Sequence, residues 1–162
     1  MHCVVAMTEE HIEGFHAAFD AIAREKLYLA RLEAPPIEDT RKFVLEGLQE
    51  GTPRFVAIAG EKVAGWCDVV RKPVPSLAHS GVLGMGVLPA HRGKGIGRAL
   101  MAAALNTARD RGITRVELTV RTDNTRARKL YESFGFTVEG LCHSYMKVDG
   151  LSIDSYLMAL VS

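Results

Sequence analysis

The segment Val87-Leu88-Pro89-Ala90-His91-Arg92-Gly93-Lys94-Gly95-Ile96-Gly97-Arg98-Ala99-Leu100 limits the fold more than any other stretch of the chain. An apolar run, Ser80 to Leu88, enters a turn with glycine at every second position. Helical patterning leaves it, about Ile96 to Arg111, and Gly112 sits where a C-cap belongs. Strand, turn and helix in this order build a mixed α/β sheet with a crossover. The turn also exposes backbone N–H groups at a helix N-terminus, where unpaired donors and the helix dipole both favour an anion. Arg92, Lys94 and Arg98 add positive charge beside it. A phosphate or pyrophosphate is the natural guest.

Two phosphate motifs are excluded by spacing. A P-loop built on Gly93-Lys94 needs glycine at 88 and Ser or Thr at 95, where Leu88 and Gly95 stand. A dinucleotide fingerprint starting at Gly93 needs Gly or Ala at 98, where Arg98 stands, and it belongs after a first strand rather than a fourth.

The rest of the chain fits one domain around this element. His2 to Met7 reads as a strand, with Thr8 as an N-cap and Glu9 and Glu10 in the first helical turn. Helical spacing runs through Phe15, Phe19, Ile22, Leu27 and Leu29 until Pro35-Pro36 stops it. A second helix covers about Asp39 to Gln49. Arg54 to Ala59 and Val63 to Val70 read as a hairpin around Gly60-Glu61-Lys62. After the crossover helix come a strand (Arg115 to Val120), a helix (Thr125 to Phe134) and two strands (Phe136 to Met146, Leu151 to Val161) joined at Val148-Asp149-Gly150. The expected order is βααβββαβαββ. With 20 Lys+Arg against 19 Asp+Glu, the net charge is +1, so no global field points to nucleic acid or an anionic membrane. No apolar run reaches 18 residues, and Cys3, Cys67 and Cys142 match no zinc or disulfide spacing, as expected of reduced cytoplasmic thiols.

A second motif lies about 30 residues beyond the first: Asn124-Thr125-Arg126-Ala127-Arg128-Lys129-Leu130-Tyr131-Glu132-Ser133-Phe134-Gly135-Phe136. It resembles the Asn-x-x-Ala-x-x-Leu-Tyr-x-x-x-Gly-Phe pattern of the GNAT superfamily of N-acetyltransferases. Arg92, Gly95 and Gly97 likewise match that superfamily's acetyl-CoA signature, Gln/Arg-x-x-Gly-x-Gly/Ala. The resemblance implies a mostly antiparallel six- to seven-stranded sheet flanked by about four helices. It also implies acetyl-CoA as cosubstrate, no metal, and a homodimer.

The roles it implies are specific. Val87, at a strand end opened by a bulge at Gly86, would turn its N–H to the thioester oxygen, and the pantetheine arm would pair with the opened strand beside Met85. The turn amides of Gly93, Lys94, Gly95, Ile96, Gly97 and Arg98 would hold the pyrophosphate, with the Arg92 and Lys94 side chains at its rim. Asn124 and Ala127 would meet the pantetheine at the next helix start, and Arg126 or Lys129 the 3′-phosphate. Tyr131 would donate a proton or hydrogen bond to the departing sulfur, although a phenol near 10 is a weaker acid than a thiol near 8.5.

Many relatives take the amine proton with a Glu on the fourth strand, and Ser80 to Leu88 holds no carboxylate. His79, Glu117, Asp123 and Glu33 are the candidate bases. Trp66, Tyr28, Arg31 and Tyr145 are candidates for the acceptor pocket, bordered by His143 and Tyr156. Met85, Val87 and Leu118 are candidates for setting acyl preference. The reading is an acetyltransferase for a small amine such as an amino acid. A protein N-terminus or lysine as acceptor, and a non-catalytic acyl-CoA sensor, are the alternatives.

Overall fold

The computed structural model describes residues 1–162. Strands β1 (His2–Ala6), β2 (Arg54–Ala59), β3 (Lys62–Arg71), β4 (Ser80–Val87), β5 (Arg115–Arg121), β6 (Thr137–Val148) and β7 (Leu151–Val161) form one sheet. Its order is β1-β2-β3-β4-β5-β7-β6. Helices α1 (Ile12–Ala23), α2 (Ile37–Glu50), α3 (Ile96–Asp110) and α4 (Thr125–Ser133) complete the expected sequence of elements. Only β4 and β5 run parallel, as the crossover through α3 requires.

Helices cover both faces. Helix α3 carries a buried stripe of Leu100, Met101, Ala104, Leu105 and Ala108, which packs with Cys67, Val69, Leu83, Leu118, Val120 and Tyr131. Helix α1 presents Phe15, Ala18 and Ile22 to the other face, where they meet Val56, Val63 and Trp66. Strand β3 lies between these layers, so Val63 to Val69 is buried without a break. No helix is long and apolar enough to cross a membrane.

Two expectations need correction. Helix α1 ends at Ala23, well short of Leu29. Lys26 has φ 58°, which no helix accepts, and the chain turns back along α1. Asp20 accepts the Ala34 N–H at 2.9 Å, and His16 Nε2 lies 2.8 Å from Pro35 O. Leu29 keeps its apolar role by packing on the α1 core from a loop, which preserved the helical spacing in the sequence.

The second correction concerns Gly86. The β3–β4 register runs unbroken from Arg71↔Gly81 to Gly65↔Val87, so β4 has no bulge. The irregularity lies in β3, where the pairing with β2 passes from Ala57↔Gly65 to Ile58↔Val63 and skips Ala64. Gly86 serves a different need. A Cβ there would fall 2.5 Å from Trp66 Cη2 and 3.1 Å from Ile22 Cδ1, so glycine makes room for the indole.

Candidate active site

Strands β4 and β5 pair only over Ser80–Val82 and Arg115–Glu117, and beyond that they diverge. Lys72 N–H donates to Ser80 O at 2.9 Å and Leu88 N–H to Ala64 O at 2.8 Å, so the even positions of β4 spend their main chain on β3. By antiparallel alternation, Met85 and Val87 turn theirs into the gap. The gap opens a cavity of about 320 Å³. Met85, Val87, Val120, Leu130 and Tyr131 line it from the α3–α4 face. Ile22, Gly86, Thr119 and Arg121 line it from the α1 face, so the cavity passes through the sheet.

At the α3 end the turn is built as its glycines suggest. Gly93 and Gly95 have φ 76° and 83°, conformations that L side chains rarely adopt. The N–H groups from Gly93 to Arg98 find no acceptor in the chain, and the first helical donor is Ala99, bonded to Gly95 O at 3.1 Å. A Cβ at Gly95 would meet nothing within 4 Å, so the turn faces open space. These donors fit a pyrophosphate. Asn124 Oδ1 accepts the Ala127 N–H at 3.2 Å and starts α4 beside the gap.

Of the residues expected at the site, Met85, Val87, Arg92, Gly93, Gly95, Ile96, Gly97, Arg98, Asn124, Ala127 and Tyr131 all border the cavity. Lys94 and Lys129 are exposed and lie outside its lining. Arg126 faces it instead, with Nη2 only 2.9 Å from the place a Gly93 Cβ would take. Helix phase decides this: Ala127, Leu130 and Tyr131 set the inner face of α4, and Lys129 falls outside it.

The Arg92 side chain is tied up within the chain. Its Nε donates to Val87 O at 2.9 Å, and Nη1 and Nη2 reach the two oxygens of Glu25 at 2.9 and 2.6 Å. Its guanidinium also lies 4.6 Å from the centre of the Tyr28 ring. Glu25, through this hydrogen-bonded pair, holds the Arg92 pKa above its ordinary value. Nothing in the sequence marks Glu25, Ile22, Thr119 or Val120 as site residues, because none belongs to a motif and topology alone brings them here.

Tyr131 is buried and lines the cavity. Burial, reinforced by the neighbouring Cys67, pushes the phenol above its ordinary range. The group is thus a hydrogen-bond donor across the neutral range and a weak source of protons. The tyrosine ring stands 6.0 Å from Phe136.

None of the four candidate bases reaches the cavity. His79 precedes β4 at its far end, roughly 26 Å from Val87 at about 3.3 Å per residue. Glu117 bonds Lys72 at 2.7 Å and Arg115 at 2.8 Å, which holds its carboxyl below the ordinary value. Asp123 is bidentate to Arg121, at 3.0 and 2.7 Å, and is likewise lowered. Glu33 is exposed and faces Arg24 at 3.4 Å. No carboxylate lines the cavity. Tyr28 does line it, whereas Trp66 is core, 5.3 Å from both Phe15 and Phe19. Arg31 and Tyr145 stand apart, Tyr156 stacks under Arg128 at 4.6 Å, His143 pairs with Asp154 at 3.4 Å, and Leu118 is core.

Comparison with known proteins agrees with this geometry. The family model described as "Acetyltransferase (GNAT) family" matches residues 14–136. A mycothiol acetyltransferase of Beutenbergia cavernae is 50% identical over 64 residues, which cover 40% of this chain but only 22% of that protein. The L-amino acid N-acetyltransferase AaaT of Escherichia coli is 28% identical over 140 residues, 86% of each chain. A phosphinothricin acetyltransferase of Sinorhizobium meliloti, solved in complex with acetyl-CoA, superposes with a TM-score of 0.92 at 15% identity over 99% of this chain and 88% of that one. With its splayed β4–β5 pair, glycine turn and matched family model, the chain belongs to the GNAT family of acetyltransferases.

Proposed function

We propose that the chain moves the acetyl group of acetyl-CoA to the primary amine of a small molecule, an amino acid or a compound like one, by direct attack within a ternary complex. The passage through the sheet carries this reading. The α3 turn offers amide donors to the cosubstrate at one face, and Ile22, Tyr28 and Thr119 border the approach from the other. In this reading the Val87 N–H polarises the thioester carbonyl, and the Tyr131 hydroxyl donates to the sulfur. The alignment with the amino-acid acetyltransferase, along most of both chains, supports the same class.

No side-chain carboxylate is available for the amine proton, so the acceptor reacts as its free base and its proton leaves through water. We place the enzyme in the cytoplasm, where its three free cysteines stay reduced. We also read it as a homodimer through outer strand β6, which exposes Val138 and Leu141.

The test is coenzyme A release from acetyl-CoA with a pool of free amino acids and, separately, a pool of peptides with free N-termini and lysines. Turnover of the amino-acid pool with a rate that climbs toward the amine pKa is the expected result. Turnover confined to peptides overturns the substrate class, and acetyl-CoA binding without turnover of either pool overturns the enzyme reading in favour of a sensor.

A further inference from the structure

The open ends of β4 and β5 are tied together by one dipeptide, Glu25-Lys26. Glu25 is held by Arg92, which also takes Val87 O at the β4 exit. Lys26 O accepts Arg121 Nη1 at 2.9 Å, and Arg121 is the last residue of β5. Lys26 Nζ reaches Asp149 Oδ1, in the β6–β7 turn, at 3.1 Å. The positive φ of Lys26 is the conformation that lets its carbonyl and side chain serve two partners. Every nitrogen of the Arg92 guanidinium has a partner within the chain, and both Arg92 and Glu25 side chains are only 21% exposed. That leaves Arg92 poorly disposed to bind a phosphate. It also fixes one guanidinium between the thioester-facing peptide and the loop that carries Tyr28.

We propose that Arg92 and Glu25 are positioning residues of the acceptor side: they hold residues 25–28 at a fixed distance from Val87, so the arginine of the glycine-turn signature serves the amine in place of the coenzyme phosphates. The inference rests on the transfer reaction proposed above. Attack on a carbonyl tolerates little misplacement of its nucleophile, so loosening this strut reaches the acceptor first. Tyr28, stacked on Arg92 and lining the cavity, is the side chain through which the effect passes.

The experiment compares wild type with Glu25→Gln and Arg92→Gln, each confirmed folded by thermal melting. It measures acetyl-CoA affinity by calorimetry, kcat and KM for the amine, and amide hydrogen exchange over residues 24–36. Expected are an acceptor KM raised about tenfold or more, kcat changed less, acetyl-CoA Kd within about threefold of wild type, and faster exchange at residues 25–28. Glu25→Asp, which keeps the charge, recovers part of the KM. A loss of about tenfold in acetyl-CoA affinity with an unchanged acceptor KM makes Arg92 a phosphate ligand and overturns the proposal. Lower melting temperature with unaltered KM and exchange makes the pair merely structural and overturns it too. If wild type turns over no amine, the substrate reading falls. Exchange and coenzyme affinity in Arg92→Gln then still decide: a loosened loop at unchanged affinity upholds the positioning role, and the reverse ends it.

Discussion

Gly86 lies beneath the Trp66 indole, where a Cβ would come within 2.5 Å of Cη2. The ring is fixed by Phe15 and Phe19, so it cannot retreat. Gly86→Ala therefore overpacks the α1 core and should cost about 1–3 kcal/mol in chemical denaturation. Because Gly86 and Ile22 both line the cavity, the same variant should raise the acceptor KM more than the acetyl-CoA Kd.

Gly95→Glu tests the anion turn. The position has φ 83° and open space around it, so a side chain adds about 1 kcal/mol of backbone strain without a clash. Its carboxylate would meet the donors that a pyrophosphate needs. The variant should melt within a few degrees of wild type and show no acetyl-CoA binding in calorimetry. Normal binding would remove the turn from the cosubstrate site.

Tyr131→Phe tests the hydrogen bond to sulfur. Because burial raises the phenol pKa, the hydroxyl stays protonated through the neutral and mildly alkaline range. The pH–rate profile of wild type should show no falling limb from this group below about pH 10. The variant should lower kcat by about tenfold to a hundredfold in a chemistry-limited assay, with acetyl-CoA affinity nearly unchanged. An unaltered kcat would take Tyr131 out of the reaction.

Arg54 and Asp68 form the buried ion pair of the fold, Nε to Oδ2 at 2.8 Å, with side chains 5% and 8% exposed. Burial pushes the Asp68 carboxyl up, and Arg54 pulls it back. Removing the cation alone strands a buried carboxylate, so Arg54→Met should destabilise by about 3–5 kcal/mol. Adding Asp68→Leu should recover much of that loss, because two apolar groups need no pairing. Strictly additive losses in urea titrations would show that the two charges are not coupled.

Glu117 predicts a pH dependence. Lys72 and Arg115 hold its folded pKa below the unfolded value of 4.5. Its contribution is thus fully present above that value and is lost as pH falls through the lower folded pKa. At 19% side-chain exposure, solvent screening limits it to about 1 kcal/mol. Melting curves of wild type and Glu117→Gln should differ at pH 7 and draw together as pH falls below 4.5.

Much of this was written locally. The glycine turn, the Asn124 cap, the ends of α3 and the β2–β3 hairpin follow from φ preferences, capping chemistry and short-range periodicity, all of which operate within a few residues. Tyr131 and the turn could be assigned to one site because the motif spacing is rigidly tied to the crossover helix between them. The partners of the long charged side chains were a different matter. Arg92 sits in the glycine-turn signature, and only the fold delivers Glu25, 67 positions away, to its guanidinium. The phase of α4 leaves Lys129 exposed, and Glu117 reads as a base until Lys72 and Arg115 claim it. The sequence alone determined where the chain would expose amide donors, because that depends on each residue and its immediate neighbours. Only the tertiary structure decided which charges stay free for a ligand, because an ion pair forms with whichever group the topology brings within reach.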